Sequence, residues 1–481
     1  MTLTVPELLR RRSTIEPTRL AIVVSGGGSL TFLEWEERSN ALADGLLNRG
    51  LARAAKVGLL FSDWIEFAVA YVGVQKAGGV AVPLLNRSPA VDLRWMLEDC
   101  GAAGVIHDPT MRITGWPGWA ATSDSLDTGR STSVEIELGP QDAAQILYTS
   151  GTSGRAKGVE ACHANLTFDH DVDPSRRILA HSRHFAHAFP IGTNAGQTML
   201  INALTAAPTA LVLPDFTPGR FLRLIETYKA GTVFAVPAMA ARLVGSGREL
   251  PFVRLFGSTG AALPPAVAAA MSTLFPNAAI VNSYTSTEAA PAATTMIFDP
   301  ARSESVGRPA RTELMITTAD GKQLPDGETG EVWLRSGAPT RSYIGAPDSG
   351  VFKDGWVRMG DLGHLDNSGY LYLVDRESDV IKCGGFKVST LHVEAQMHEH
   401  PAVREASVFG IPHPELGAAV AAAVVLHRET SPSELRAFLL GRLASHEIPV
   451  RLLVLDRLPR NDGGKVSKLA LRQLVNRIDH D

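Results

Sequence analysis

Two hydrophobic periodicities alternate along the first part of the chain. Apolar residues recur at helical spacing over Leu33–Leu47, and an apolar run typical of a buried strand follows at Val57–Phe61. A second helical stretch through Ala68–Val74 ends at Gly78-Gly79 and leads into another apolar run, Val80–Leu84. A strand, a helix and a strand in this order are typical of a sheet covered by helices, so the pattern predicts an α/β fold.

The same rhythm returns further along the chain, at Ala210–Leu213, Phe221–Tyr228, Val233–Val236 and Ala279–Val281. Beyond about Val306 the pattern changes. Short alternating strands, Glu313–Thr317 and Glu331–Leu334, are accompanied by Asp-Gly turns and indicate a β-rich subdomain. From about Arg376 to Asp481, strands and helices form a small α+β unit. We place the main boundary near Ser378, which divides residues 1–377 from residues 378–481.

Composition and charge narrow the class of protein. The 481 residues are 45% hydrophobic and 20% charged, which is typical of a globular chain long enough for more than one domain. A net charge of −4 provides no basic field for nucleic acid, so we expect no such partner. The three cysteines are too widely spaced to indicate a disulfide framework or a zinc site. No signal peptide is recognisable and no apolar run reaches the roughly 18 residues that span a bilayer. We therefore expect a soluble cytoplasmic protein without a membrane span.

A loop rich in glycine and hydroxyl side chains follows the apolar strand Ala144–Leu147. It runs from Tyr148 to Gly158 and contains Thr149, Ser150, Gly151, Thr152, Ser153, Gly154 and Lys157. Glycines let the backbone approach an anion closely, hydroxyls donate hydrogen bonds and a lysine adds charge. In isolation the loop would also fit a flexible surface segment, but its place after a buried strand favours phosphate binding. It does not match the Walker pattern.

Other segments combine residue types that suit nucleotide chemistry. The segment Asn282–Glu288 follows a predicted strand and places an aromatic ring, hydroxyls and a carboxylate on one loop, which can stack a base and hold a divalent ion. Gly355–Asp361 ends on a carboxylate, and Pro459–Lys465 ends on a lysine flanked by glycine. Each segment alone would also fit an ordinary polar turn or a solvated lysine.

Taken in order, these segments resemble the adenylate-forming superfamily of acyl- and aryl-CoA synthetases, luciferases and peptide-synthetase adenylation domains. The resemblance covers nearly the whole chain, and it adds Gly257–Pro264, Phe189–Gly196 and Asp375–Val388 to the matching segments. It implies a large N-terminal domain of two helix-flanked sheets plus a β-barrel-like subdomain. A small, mobile α+β C-terminal domain completes the implied fold.

The resemblance also implies a role for each matching residue. Tyr284, Gly260 and Ala261 would surround adenine, and Asp361 and Arg376 would hold the ribose and phosphate. Thr287 would contact the α-phosphate, Glu288 would coordinate Mg²⁺, and Lys465 would bridge the acid carboxylate and the α-phosphate. The acyl pocket would include Gly192, Thr193, Ser258 and Thr285. Coenzyme A would pass Lys382, Gly384 and Gly385. Ser378 would be the hinge between the two domains.

Several positions depart from the family pattern. Ala156 replaces the usual proline, Thr285 the usual glycine and Met359 the usual threonine, and neither Gly192 nor Thr193 supplies the aromatic or histidine gate. The missing gate suggests a roomier acyl pocket or a different gate. The implied activity is an AMP-forming acyl-CoA ligase that uses ATP, Mg²⁺ and coenzyme A on an apolar carboxylic acid.

Alternatives stay open at this point. They are an enzyme with impaired adenylation that converts a supplied acyl-adenylate, transfer to a carrier-protein phosphopantetheine, and a non-catalytic nucleotide-binding protein. A homodimer also stays open. A dehydrogenase is excluded, because no Gly-x-Gly-x-x-Gly opens a helix after a strand.

Overall fold

The computed structural model of the chain describes residues 3–111, 113, 115–149, 156–170, 177–345, 350–460 and 465–478. Within these ranges the helices are α1 (Val5–Ile15), α2 (Phe32–Asn48), α3 (Trp64–Lys76), α4 (Ala90–Asp99), α5 (Ser123–Leu126), α6 (His163–Leu166), α7 (Asn194–Thr205), α8 (Pro218–Tyr228), α9 (Pro237–Leu243), α10 (Pro265–Leu274), α11 (Thr390–His398), α12 (Pro432–Leu440) and α13 (Lys468–Ile478). A 3₁₀ turn covers Pro300–Arg302.

The strands up to the middle of the chain are β1 (Leu20–Val24), β2 (Ser29–Thr31), β3 (Lys56–Leu60), β4 (Val80–Pro83), β5 (Gly104–His107), β6 (Trp119–Ala121), β7 (Ala143–Thr149), β8 (Lys157–Cys162), β9 (His184–His187), β10 (Thr209–Val212), β11 (Thr232–Ala235), β12 (Leu255–Thr259) and β13 (Ala279–Tyr284). The remaining strands are β14 (Thr294–Ile297), β15 (Ser305–Pro309), β16 (Thr312–Thr317), β17 (Gly330–Ser336), β18 (Ser342–Tyr343), β19 (Phe352–Lys353), β20 (Trp356–Leu365), β21 (Leu371–Arg376), β22 (Ile381–Cys383), β23 (Phe386–Val388), β24 (Val403–His413), β25 (Gly417–Leu426) and β26 (Arg451–Val454).

These strands form three sheets. A 14-stranded sheet has the order β16-β17-β20-β21-β15-β14-β13-β12-β11-β9-β10-β1-β2, with β19 paired to β20. A 7-stranded sheet has the order β18-β8-β7-β4-β3-β5-β6. A 5-stranded sheet contains β22 to β26. The fold is therefore α/β, with a large N-terminal domain that contains the first two sheets and a small C-terminal domain built on the third.

The sequence explains why the first helices form where they do. Thr31 caps α2 through a reciprocal pair of hydrogen bonds with Glu34, and Asp63 accepts from two amides at the start of α3. The helix α3 is buried along nearly its whole length, and its apolar side chains belong to the largest core cluster, together with residues of α1, α2, α7 and both large sheets. The β-rich part continues the first sheet, because β14 pairs with β15.

Parallel strands place the loops of interest on one edge of the first sheet. The strands β11, β12 and β13 are parallel neighbours, so the segments that follow β12 and β13, residues 260–264 and 285–291, lie side by side. In open α/β sheets such an edge is where ligands bind. Of the helices in the described ranges, none combines the length and apolarity that crossing a bilayer requires.

Candidate active site

Tyr284 and Asp361 meet in the cleft between the two domains. The Tyr284 hydroxyl donates to Asp361 Oδ2 at 2.5 Å, and Arg376 Nε lies 3.4 Å from Asp361 Oδ1. Asp361 and Arg376 are directly opposite each other on β20 and β21. Burial raises the pKa of Asp361, although Arg376, the Tyr284 hydrogen bond and Lys465 all act to lower it. Burial, reinforced by Asp361, also raises the pKa of Tyr284, so this hydroxyl stays a donor.

Glu288 lies where the loop after β13 meets the second sheet. Its Oε1 accepts from the Tyr343 hydroxyl at 2.8 Å and from Thr149 Oγ1 at 3.4 Å. Tyr343 reaches this position because β18 pairs with β8. Its ring also faces Lys157, whose Nζ is 5.0 Å from the ring centroid. The carboxylate is therefore oriented by hydroxyls from two separate strands.

The guanidinium of Arg341 is buried and contacts the same loop after β13. It is 6% exposed, and its Nη1 donates to the Thr287 carbonyl at 3.0 Å. Burial lowers the pKa of Arg341 to about 10, and Glu288 is among the groups that favour its charged form. Sequence reasoning missed both Arg341 and Tyr343, because no local motif marks them and only the pairing of β18 with β8 brings them here.

Lys465 reaches this site from the C-terminal domain. It lines the cleft, and it interacts electrostatically with Arg376, Glu288 and Asp361. The surrounding protein desolvates its ammonium and lowers its pKa, as does Arg376, whereas the two carboxylates favour the charged form. The structure thus brings together Glu288, Tyr284, Asp361 and Arg376 of the large domain with the lysine that the sequence singled out.

The phosphate-loop residues are only partly within the described ranges. Ser150, Gly151, Thr152, Ser153 and Gly154 lie outside them. The two flanking residues, Thr149 and Lys157, are opposite each other on β7 and β8 and define the base of the loop. This base lies beside Glu288, because Thr149 donates to it.

The turn that the family resemblance assigns to adenine lies near two positions that depart from the family pattern, Thr285 and Met359. Gly260 and Ala261 line the cleft after β12, and Gly260 has a φ of +88°, which favours glycine. The Thr285 hydroxyl donates to the Ala292 carbonyl at 2.7 Å, which holds this side chain against its own loop. The Met359 sulfur accepts weakly from the Ser286 hydroxyl at 3.9 Å.

The residues assigned to the acyl pocket line the cleft and are also packed against neighbouring segments. A Cβ at Gly192 would lie 2.7 Å from the Leu85 backbone nitrogen. The Thr193 hydroxyl caps α7 by accepting from the Gly196 amide at 3.1 Å. Gly192 therefore lies directly against the Leu85 backbone while also lining the cleft. Ser258 also lines the cleft but is 2% exposed. His187, which is close by in sequence, is fully buried in the core.

The residues assigned to coenzyme A lie elsewhere. Lys382 is exposed in β22, Gly384 and Gly385 are exposed on the turn between β22 and β23, and none of the three lines the cleft. Ser378 does line it, in the turn that follows β21. In this arrangement Lys465, and not the glycine turn, lies at the cleft with the large domain.

The two domains meet at a cleft. Polar loops from parallel strand ends line one side of this cleft, and a lysine from the small domain lines the other. This arrangement is that of a nucleotide-binding enzyme. Residues 9–344 match the family described as AMP-binding enzyme, and residues 392–465 match the AMP-binding enzyme C-terminal domain. This chain belongs to the AMP-binding enzyme family.

Similar proteins agree with this assignment. The chain is 30% identical to the long-chain-fatty-acid–CoA ligase FadD13 of Mycobacterium tuberculosis, over 97% of each chain. It is also 30% identical to a feruloyl-CoA synthase of Amycolatopsis sp., over 96% of this chain and 97% of that protein. The solved structure of the o-succinylbenzoate CoA synthetase of Bacillus subtilis in complex with the acyl-adenylate intermediate OSB-AMP has a TM-score of 0.86 at 27% identity, covering 97% of this chain and 98% of that one.

The protein is accordingly an ATP-dependent, AMP-forming acid–thiol ligase, and it uses ATP, Mg²⁺ and coenzyme A.

Proposed function

We propose that this enzyme activates an apolar carboxylic acid as an acyl-adenylate and then transfers the acyl group to coenzyme A. The observation that carries the proposal is the position of Lys465, which comes from the C-terminal domain and interacts with Glu288, Asp361 and Arg376 of the large domain. A cation delivered to a cluster of nucleotide-binding side chains suits a reaction in which negative charge builds up on phosphorus.

In the first half-reaction, an oxygen of the acid carboxylate attacks the α-phosphorus of ATP, and the bond to pyrophosphate breaks. Lys465 bridges the carboxylate and an α-phosphate oxygen, so it both positions the nucleophile and stabilises the developing charge. Thr287 contacts the α-phosphate, and Arg341 holds the backbone of Thr287 in place through its 3.0 Å hydrogen bond.

The nucleoside is held by the loops at the sheet edge. The Tyr284 ring packs on adenine beside Gly260 and Ala261, which line the cleft at the end of β12. Asp361 accepts from the ribose hydroxyls through the carboxylate lone pairs that Tyr284 leaves unused. Arg376 lies next to this carboxylate and contacts the ribose or the phosphate.

We assign the triphosphate to the segment between β7 and β8. Thr149 and Lys157 are paired at its base, and the assignment includes Ser150, Gly151, Thr152, Ser153 and Gly154, which lie outside the described residues. Backbone amides and hydroxyls bind phosphate oxygens, and the Lys157 ammonium adds charge.

Glu288 is the residue that would hold Mg²⁺. A hard cation of this size is usually bound by one or two carboxylates together with phosphate oxygens and water. Glu288 fits, because its carboxylate is oriented by Tyr343 and Thr149. In the described part of the chain no group of three or more His, Cys, Asp and Glu side chains forms a metal site of its own. When bound, the ion neutralises charge on the leaving pyrophosphate.

The substrate side of the cleft supports an apolar acid. Phe234, Val236, Met239 and Leu263 line it near the ends of β11 and β12. The Phe234 ring lies across Gly257, where a Cβ would come within 2.5 Å of the ring. We assign Gly192, Thr193, Ser258 and Thr285 to the walls of this pocket.

In the second half-reaction the thiolate of coenzyme A attacks the acyl carbon, and AMP leaves. We infer that the C-terminal domain, residues 378–481, rotates about Ser378 relative to residues 1–377. The rotation withdraws Lys465 and brings Lys382, Gly384 and Gly385 towards the site, where the glycines let the pantetheine arm pass close to the backbone. A carrier-protein phosphopantetheine is the alternative acceptor.

The departures from the family pattern do not favour an enzyme limited to the second half-reaction. Thr285 turns its hydroxyl towards Ala292, and Met359 packs beside Tyr284 in an apolar cluster. Both side chains are thus accommodated without displacing the contact between Tyr284 and Asp361.

A panel of aryl, alicyclic and fatty acids tests the proposal. For each acid, acid-dependent pyrophosphate exchange is compared with CoA-thioester formation from the free acid and from the preformed adenylate. We expect at least one apolar acid to support all three reactions. Turnover of adenylates without exchange for any acid would instead indicate the half-reaction enzyme, and transfer to a holo-carrier protein but not to coenzyme A would indicate the alternative acceptor.

A further inference from the structure

A carboxylate of the large domain caps a helix of the small domain. Asp375 is in β21, within the first sheet, and is 1% exposed. It accepts from the Thr390 amide and, at 3.0 Å, from the Thr390 hydroxyl. Next to it, the Ser389 hydroxyl donates to the Val374 carbonyl. The amino-terminal end of α11 is therefore anchored on the last residues of β21 by three hydrogen bonds.

Lys468 links the start of α13 to the residues that form these hydrogen bonds. Its Nζ donates to the Thr390 hydroxyl oxygen at 2.9 Å and lies 3.1 Å from Asp379 Oδ2 and 3.8 Å from Glu394 Oε1. Lys468 is the first residue of α13 and follows Lys465 closely in the chain. One ammonium thus connects the segment that carries Lys465, the start of α11 and the turn after β21.

The charges around Lys468 make this ammonium hard to replace. Asp379 and Glu394 form ion pairs with Lys468, and Asp375 interacts with it electrostatically through space. Burial raises the pKa of Asp375 and of Glu394, and in both cases Lys468 acts in the opposite direction. Without this cation, partly buried carboxylates would face one another, and the cluster would loosen or take up protons.

The contacts depend on one arrangement of the two domains. Asp375 precedes the proposed hinge Ser378, whereas Thr390 and Lys468 follow it. A rotation about Ser378 would therefore separate Asp375 from Thr390, while the pairing of Lys468 with Asp379 and Glu394 moves with the small domain.

We propose that Lys468 is a positioning residue for the adenylation half-reaction: acting through Thr390 and Asp375, it holds the small domain where Lys465 reaches the cleft. This inference rests on the proposed function of Lys465 and Ser378. It concerns the stability of one domain arrangement, and Lys468 itself need not touch the substrate.

The test measures the two half-reactions separately in Lys468→Met. We expect acid-dependent pyrophosphate exchange to fall about 10- to 100-fold, the size of effect that a small misplacement of a reacting group produces. Thioester formation from supplied acyl-adenylate should stay within about twofold, because it needs the other arrangement. Thr390→Val removes the hydroxyl between Lys468 and Asp375, and it should also lower exchange more than thioester formation, though by a smaller factor. This second variant replaces Lys468→Met in the test if Lys468→Met does not fold. Lys322→Met, at an exposed turn, is the matched control.

Loss of both half-reactions to the same extent would overturn the inference, because it would indicate a general structural role for Lys468. Unchanged exchange in both variants would overturn it as well. Lys465→Ala is measured in parallel to separate the two proposals. If Lys465→Ala loses exchange selectively and Lys468→Met does not, only the present inference fails. If Lys465→Ala retains exchange, the proposed function fails and this inference with it.

Discussion

Replacing Tyr343 by phenylalanine removes one hydroxyl from the active site and leaves the aromatic ring in place. The hydroxyl donates to Glu288 Oε1 at 2.8 Å, whereas the ring that faces Lys157 Nζ at 5.0 Å is kept. A hydrogen bond to a charged group contributes about 1.5–3 kcal/mol. Glu288 is half-buried, so we take the lower end of this range. A loss of about 1.5 kcal/mol corresponds to about tenfold in an equilibrium constant.

The assay for Tyr343→Phe is a Mg²⁺ titration of pyrophosphate exchange at fixed ATP. We expect the Mg²⁺ concentration for half-maximal exchange to rise about tenfold, because Glu288 loses the donor that orients it. Tyr372→Phe is the matched control, since the Tyr372 hydroxyl interacts with the Asp366 carboxylate and neither residue lines the cleft. An unchanged Mg²⁺ requirement in Tyr343→Phe would refute the orienting role, and an equal shift in the control would show that the effect is not local.

Three further predictions concern protonation, nucleotide binding and packing. Pyrophosphate exchange requires protonated Lys465, so its rate should fall as pH rises through the pKa of Lys465. This fall should begin below the pH at which an ordinary lysine loses its proton, because burial and Arg376 lower the pKa of Lys465. In Arg376→Gln the pH profile should show the same fall at higher pH. Asp361→Asn should raise the steady-state KM for ATP about tenfold, because an amide replaces a charge-assisted acceptor. Gly192→Phe should lower the free energy of unfolding in urea by about 1–3 kcal/mol, since even a Cβ would lie 2.7 Å from the Leu85 nitrogen.

Much of the fold could be predicted from local pattern. The apolar run expected at Val57–Phe61 is β3, and the helical spacing over Leu33–Leu47 corresponds to α2. Strands that are buried on both faces and helices with clear caps carry this information in a few consecutive residues. The family likewise followed from motifs that occur in a fixed order, and the comparison with known proteins confirms it.

The parts of the site that depend on non-local pairing could not be predicted. Tyr343 reaches Glu288 only because β18 pairs with β8, and nothing in the segment around it marks a site. The sequence shows that Gly192 lacks a gating side chain, but it does not show that the Leu85 backbone packs against this glycine. Lys468 has the pattern of an ordinary lysine at the start of a helix, and its contacts come from two segments that are distant in sequence, the turn after β21 and α11.

The central claim is that Lys465 serves the adenylation half-reaction and not the thioester-forming one. The most direct measurement compares acyl-adenylate formation with thioester formation from supplied acyl-adenylate in Lys465→Ala. The account predicts loss of adenylate formation, because the cation that interacts with Glu288 and Asp361 is removed, while transfer from the adenylate to coenzyme A continues. Equal loss of both activities, or retained adenylate formation, would contradict it.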